Sequence, residues 1–358
     1  MRVTKRVFFL GVLMMAAVCA AAPAAERTSE NDARLRRGLK QYPEADNDGD
    51  GVLTDAEARA FLAKRGARRE KAGKQGYTVP PDHADVKYGP YDRNVLDLWL
   101  AKRDDGKPTP LVIFIHGGGF SGGNKTKLDT RLVPQFHAAG VSVASINYRL
   151  IDSGPFPIPM HDGARAIQFL RHHADEYGLD KERFACFGGS AGGCMSMWLA
   201  FHDDLADPDN PDPVLRESTR ITCAAPFAGQ SSVDMRTLTD WFGCENLTEH
   251  PSTRRFFGVE DLDELETPEK IALMKEASPI THLTRDDPPT FAVYSGPNKP
   301  VDETTPSGTW VHHPRLGIKL KEAMDRLGIE CHVQYKDGPP VTEYPSPVQF
   351  MIRKLSAP

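Results

Sequence analysis

Residues 183–201, RFACFGGSAGGCMSMWLAF, constrain the fold more than any other stretch, because a short apolar run meets a glycine-flanked serine and then a helix-like run. The reading is strand, sharp turn, helix. Gly188-Gly189-Ser190-Ala191-Gly192 fits G-x-S-x-G, in which residues without a Cβ let strand and helix approach closely around a strained serine. The Ser190 hydroxyl is then expected at a helix N-terminus, whose unpaired N–H groups favour negative charge. Upstream, the apolar run 111–115 ends in His116-Gly117-Gly118-Gly119-Phe120, a glycine loop able to turn backbone N–H groups toward a developing oxyanion. Either motif alone is common in glycine-rich turns. Together, in this order and each directly after a strand-like run, they are specific.

Strand-like runs at 84–88, 95–100, 111–115, 141–146, 183–187, 221–225, 290–295 and 331–335 alternate with helical stretches at 128–139, 163–177, 191–201, 315–327 and 346–354. This rhythm predicts an α/β fold with a mostly parallel sheet covered by helices on both faces, the two earliest runs forming an antiparallel edge. Residues 227–287 break it, being rich in charge and in Trp241, Phe242, Phe256 and Phe257, and read as an inserted cap or lid. With 358 residues and 40% hydrophobic content, the chain can bury one large core beside a small appendage. Its formal net charge of −5 leaves no nucleic-acid footprint, and the basic cluster at 65–74 reads as a solvated linker.

From about residue 88 to 355 the chain resembles the α/β-hydrolase fold, in its hormone-sensitive-lipase-like and acetyl- or feruloyl-carboxylesterase branch. Besides the two glycine motifs, Ser145-Ile146-Asn147-Tyr148-Arg149-Leu150, Pro157, Asp162, Ala166 and Tyr177-Gly178-Leu179-Asp180 carry the likeness. The resemblance implies Ser190 as nucleophile and the N–H groups of Gly118, Gly119 and Ala191 as oxyanion hole. It also implies an acid after the seventh strand and a histidine after the eighth, and here the chain departs from the pattern. Lys299 stands near the acid's place, with Asp302 and Glu303 slightly later, and no histidine follows the eighth strand. Without a base the serine proton has nowhere to go near neutral pH. His312 and His313, in the loop after the seventh strand, are the candidate bases, oriented by Asp302 or Glu303; the competing reading has the pair cap the 315–327 helix. His116 is expected to orient the oxyanion loop, and His161, His202, His250 and His282 to be surface or cap residues.

The N-terminus reads as a leader. Arg2, Lys5 and Arg6 precede an apolar run at 7–18 and an Ala22-Pro23-Ala24 cleavage site, which predicts a signal peptide over 1–24 and an exported protein without a membrane span. Within 25–65, the run Asp46-Asn47-Asp48-Gly49-Asp50-Gly51-Val52-Leu53-Thr54-Asp55-Ala56-Glu57 matches D-x-[DN]-x-[DN]-G-x5-E in full. It resembles a single EF-hand loop, with Asp46, Asp48, Asp50 and a bidentate Glu57 as Ca²⁺ ligands, the Val52 carbonyl, and a water on Thr54. A linker is expected at 66–82 and the hydrolase domain over 83–358. Of the cysteines after the leader, Cys186, Cys223 and Cys331 sit in strand-like runs as small hydrophobes, so no disulfide framework is expected; a Cys194–Cys244 pair stays open. Two functions compete: an exported serine esterase for short acyl or acetyl esters, those carried by polysaccharides among the candidates, and a pseudo-hydrolase that binds such groups and docks through calcium.

Overall fold

Short apolar strands joined by helical crossovers can bury both of their faces only in a parallel sheet flanked by helices. The computed structural model, which describes residues 27–61, 77–103 and 105–356, has this architecture within Gly73–Pro358, the larger of two units; the smaller is Met1–Ala72. The strands are β1 (His83–Lys87), β2 (Val95–Trp99), β3 (Thr109–Ile115), β4 (Ser142–Ile146), β5 (Leu179–Gly189), β6 (Cys223–Phe227), β7 (Thr290–Pro297) and β8 (Cys331–Lys336). Their spatial order is β1-β2-β4-β3-β5-β6-β7-β8. From β4 to β8 every pairing is parallel, while β1 and β2 form the antiparallel edge.

Alternation along β3 splits the core in two. Leu111, Ile113 and Ile115 pack with helices Ile158–His172, Ala191–Phe201 and Arg315–Leu327 on one face, and Val112 and Phe114 with helices Val133–His137 and Pro347–Ser356 on the other. Burying one such side chain completely, Phe350 for instance, contributes about 1.5–3 kcal/mol. Between β6 and β7 the chain builds helices Met235–Phe242, Thr253–Phe257 and Pro268–Glu276 with 3₁₀ turns Leu262–Glu266 and Pro279–His282. This is the stretch whose composition breaks the strand–helix rhythm.

Several boundaries differ from the sequence reading. The expected 128–139 helix contracts to Val133–His137 after a 3₁₀ turn, Thr130–Leu132, which Asp129 caps by accepting the Arg131 N–H. Residues 77–82, expected to be linker, are tied to the sheet: Trp99 Nε1 donates to Val79 O at 2.9 Å and Tyr77 Oη to Asp97 at 2.6 Å. The remainder of that linker, 66–76, and the predicted leader, 1–24, lie outside the described residues. Cys186, Cys194, Cys223, Cys244 and Cys331 are all buried free thiols, so the Cys194–Cys244 pair does not form. Burial pushes the Cys194 thiol up to about 12. Among the described residues no helix is long and apolar enough to cross a membrane.

The smaller unit has its own core of Leu35, Ala45 and Leu53, flanked by Leu39, Tyr42, Ala58 and Phe61. Helix Ala33–Gln41 enters and helical residues 55–61 leave the acidic loop, and an antiparallel bridge joins Thr28 to Thr54.

The approach of helix Ala191–Phe201 to β3 depends on glycine. A Cβ on Gly192 would lie 2.0 Å from the Ile115 carbonyl oxygen, and one on Gly188 2.2 Å from the same atom. Backbone cannot yield as a side chain can. Gly192→Ala is therefore expected to destabilise the fold by at least ~2 kcal/mol, within the range for overpacking. Gly296→Ala, where a Cβ meets nothing within 4 Å, should stay within ~0.5 kcal/mol of wild type. Denaturant unfolding of the two variants measures both, and equal effects would refute the close-approach account.

Candidate active site

β5 ends at Gly189 and its helix begins at Ala191, so Ser190 must reverse the chain in a single residue. It does so at φ +54°, ψ −119°, a conformation that costs a non-glycine residue on the order of 1–3 kcal/mol. Its N–H donates to Phe227 O at the end of β6, 2.8 Å away, which holds the turn. The hydroxyl is thereby presented above the carboxyl ends of the parallel strands, where crevices form in open α/β sheets.

His312 faces that hydroxyl, with Nε2 2.8 Å from Ser190 Oγ. Its other nitrogen, Nδ1, lies 2.8 Å from Gly308 O. A carbonyl only accepts, so Nδ1 carries the hydrogen, and Nε2 offers its lone pair to the serine proton. The pair has the geometry of a nucleophile and its general base. Where a carboxylate is expected behind the histidine, there is a backbone carbonyl four residues earlier in the same turn.

The other candidates are placed elsewhere. His313 is buried, its Nε2 2.8 Å from Lys299 O and its Nδ1 accepting the Arg315 N–H at 3.1 Å, while Phe242 packs edge-on at 5.3 Å. Both nitrogens are committed, so His313 anchors the start of helix Arg315–Leu327, as the capping reading has it. Burial lowers its pKa. Asp302 Oδ1 accepts from Thr304 N, Thr304 Oγ1 and Thr305 Oγ1. Those bonds hold its carboxyl below the usual range within a local turn, and neither it nor Glu303 reaches His312. The correction has a simple cause: neighbouring residues in a helical turn point about 100° apart, so only one of two adjacent histidines can face the serine.

The glycine loop after β3 lies against the elbow, since a Cβ on Gly117 would sit 2.4 Å from Gly189 O. Gly118, Gly119 and Phe120 have φ of +129°, +58° and +55°. Among the described residues the N–H groups of Gly118, Gly119 and Ala191 meet no protein acceptor. Behind the loop His116 is buried, stacked on Tyr148 with centroids 4.3 Å apart. Nδ1 of His116 donates to Gly117 O at 3.0 Å, and Arg93 Nη2 lies 3.2 Å from its Nε2 while donating to Gly123 O. Desolvation, with the Arg93 charge adding to it, lowers the His116 pKa to about 3. His116 is a neutral brace for the loop.

Ser190 opens into a cavity of about 80 Å³, walled by Gly119 and Phe120 on the scaffold side and by Leu238, His250, Phe256 and Phe257 from the insertion. At ~10–15 Å³ for each water-sized probe position, this is room for a handful of heavy atoms. Burial first, and the nearby His312 second, lower the His250 pKa. The insertion also holds the segment that carries His312: Gln230 Nε2 donates to Val311 O at 2.6 Å, Trp310 Nε1 to Thr248 O at 3.0 Å, and Arg315 Nη1 to Trp241 O at 2.7 Å. Sequence reasoning missed the Gly308 carbonyl. The i, i+4 spacing of Gly308 and His312 was the available signal, for it places both on one side of a helical turn.

Residues 96–305 match the family model BD-FAE. The chain is 32% identical over 215 residues to the probable carboxylic ester hydrolase LipM of Mycobacterium tuberculosis, covering 59% of this chain and 46% of that protein. It is 27% identical over 253 residues to the probable isoprenylcysteine alpha-carbonyl methylesterase ICMEL1 of Arabidopsis thaliana, covering 71% and 49%. The chain thus spans about half the length of the curated relatives it matches. Among solved structures, a truncated carbohydrate esterase from gut microbiota superposes with TM-score 0.59 at 19% identity, over 79% of this chain and 99% of that one. An acetyl ester-xyloside bifunctional hydrolase from Caldicellulosiruptor lactoaceticus gives 0.55 at 20%, over 74% and 89%. These likenesses and the sheet order establish the α/β-hydrolase fold.

The buried histidines make a pH prediction. A histidine whose folded pKa is depressed binds its proton more readily when unfolded, so its stabilising contribution is complete above about 6.5 and is lost as pH falls toward the folded value of about 3. His116 should therefore contribute up to about 1.4 kcal/mol per pH unit to the acid slope below 6.5. Denaturant midpoints from pH 7 to 4.5 should show a shallower slope in His116→Gln than in wild type. Parallel slopes would overturn this account, whatever the absolute loss of stability.

Proposed function

Because the chain belongs to the BD-FAE family of α/β-hydrolases, we propose that it is a carboxylic ester hydrolase acting on acetyl and other short acyl esters. The Ser190 Oγ–His312 Nε2 contact of 2.8 Å carries the reading. As Ser190 attacks the ester carbonyl, His312 takes its proton and then returns one to the departing alcohol, leaving an acyl-serine. A water deprotonated by the same ring releases the acid. The tetrahedral oxyanion in both steps would be held by the N–H groups of Gly118, Gly119 and Ala191. The Gly308 carbonyl keeps the imidazole in the required tautomer, but being neutral it stabilises the imidazolium less than a carboxylate does.

Cavity size supports a short acyl group. The carbohydrate-esterase descriptions of the structural relatives support an ester borne by a sugar or polysaccharide. One observation favours the pseudo-hydrolase alternative, namely the missing carboxylate behind His312. With p-nitrophenyl acetate, Ser190→Ala should abolish turnover and His312→Ala lower kcat by at least ~10²-fold, the low end for a general base. His313→Ala should act through stability, leaving kcat of the folded fraction within a few-fold. Wild-type turnover that survives Ser190→Ala would sink the esterase reading, and binding of short carboxylates without turnover would favour the alternative.

The acidic loop of the smaller unit is part of the same proposal. Asp46, Asp48 and Asp50 each offer a carboxylate oxygen, the three lying within 4.8 Å of one another, and Gly49 and Gly51 turn the loop at φ +74° and +84°. Glu57 closes it by accepting the Asn47 N–H at 3.0 Å, while its second oxygen accepts from Thr54. This all-oxygen set suits a hard cation, and Asp46, Asp48, Asp50, Glu57, the Val52 carbonyl and a water on Thr54 would hold Ca²⁺ as a structural clip. Calorimetric titration should give one Ca²⁺ site that Asp46→Ala with Glu57→Ala removes without loss of ester hydrolysis. Absence of binding at millimolar Ca²⁺ would discard it.

A further inference from the structure

The helix that starts beside Ser190 ends at His202, its C-cap, about 16 Å away at 1.5 Å per residue, and the last turns of the insertion pack on that end. Trp198 Nε1 donates to Glu276 O at 3.0 Å, and its indole lies 4.2 Å from the His202 ring. Glu276 closes helix Pro268–Glu276 and His282 closes the 3₁₀ turn Pro279–His282, with the two imidazole rings 4.6 Å apart. Read from sequence as surface or cap residues, these side chains converge.

Their hydrogen bonds define which atoms are free. Nδ1 of His202 is 2.8 Å from Asp203 O, and Nε2 of His282 is 2.8 Å from Glu276 O. Carbonyl oxygens only accept, so each of these nitrogens carries a hydrogen. His202 Nε2 and His282 Nδ1 are the ring nitrogens left for other partners. His202 Nε2 stands 3.0 Å from Glu276 Oε1, an ion pair whenever the ring is protonated. A cation at this point, whether a proton on the ring or a metal ion, satisfies both atoms.

We propose that His202, Glu276 and His282 bind a divalent transition-metal cation, with Zn²⁺ the ion best suited to two imidazoles and one carboxylate. One ligand atom from each residue lies within 4.8 Å of the other two, so small side-chain rotations bring all three to the roughly 2.0–2.2 Å that Zn²⁺ requires. A water completes a tetrahedron. Each imidazole donates its remaining N–H to a backbone carbonyl, the outer contact that fixes a ligating histidine's tautomer and orientation. Glu276 is half exposed and His202 about one-sixth, so the ion has a path in. The nitrogen donors also separate this site from the all-oxygen Asp46 loop. An ion here would clip the insertion to the far end of the helix that carries Ser190, outside the catalytic chemistry.

The test uses the full chain, stripped with chelator and titrated with Zn²⁺ by calorimetry and with Co²⁺ by visible absorption. One Zn²⁺ equivalent, a Co²⁺ band of tetrahedral intensity and a raised Tm are expected. His202→Asn with His282→Asn, and separately Glu276→Gln at an exposed side chain, should weaken binding by at least the 10- to 100-fold that loss of even an outer-shell partner costs. Asp46→Ala with Glu57→Ala should leave it unchanged. No binding at micromolar Zn²⁺, binding undiminished in both histidine and Glu276 variants, or binding lost with the Asp46 loop would each overturn the proposal. So would NMR evidence that His202 is an imidazolium in protein indifferent to Zn²⁺, which would assign the gap to a proton.

Discussion

The Ser190 N–H donates to the Phe227 carbonyl across the β5–β6 pairing, and this bond holds a serine at φ +54° where the chain would otherwise relax. Everything at the site is measured from that turn. It can form only because Gly188 and Gly192 let helix and strand approach to distances that any Cβ would block. The strain is offset by a core that buries both faces of the sheet. Held this way, the hydroxyl has one direction to point, and the glycine loop after β3 lies alongside it.

The proposed base comes from the long connection after β7 and not from the end of β8. His312 sits in the long connection after β7, and its orienting partner is the Gly308 carbonyl. A carbonyl fixes the tautomer as a carboxylate would, yet brings no charge to offset an imidazolium. Its neighbour His313 is spent on packing, and Asp302 on its own turn. The arrangement separates two tasks that a carboxylate performs together, orientation and charge compensation, and retains the first.

The insertion between β6 and β7 has a double role in this geometry. It walls the cavity with Leu238, Phe256 and Phe257, and through Gln230, Thr248 and Trp241 it pins the segment that bears His312. Cavity shape and the position of His312 are therefore coupled, because both depend on how the insertion packs. Its last turns rest on His202, at the opposite end of the helix that follows Ser190. A change at that contact has a packed route to the cavity wall.

What the sequence determined by itself was local. The alternation of apolar runs with helical stretches, G-x-S-x-G and the glycine loop dictated a mostly parallel sheet, its antiparallel edge and the place of Ser190, since strand period, turn chemistry and glycine's lack of a Cβ act over a few residues. The turns at Gly49 and Gly51 were legible for the same reason. Which histidine meets the serine was not, because His312 and Ser190 are 122 positions apart and only the fold of the β7 connection brings one ring, and not its neighbour's, to the hydroxyl. Nor was the packing of 77–82 onto the sheet, or the convergence of His202, Glu276 and His282 from three separate elements. Contacts of that kind have no periodicity to read; packing between elements distant in the chain decides them.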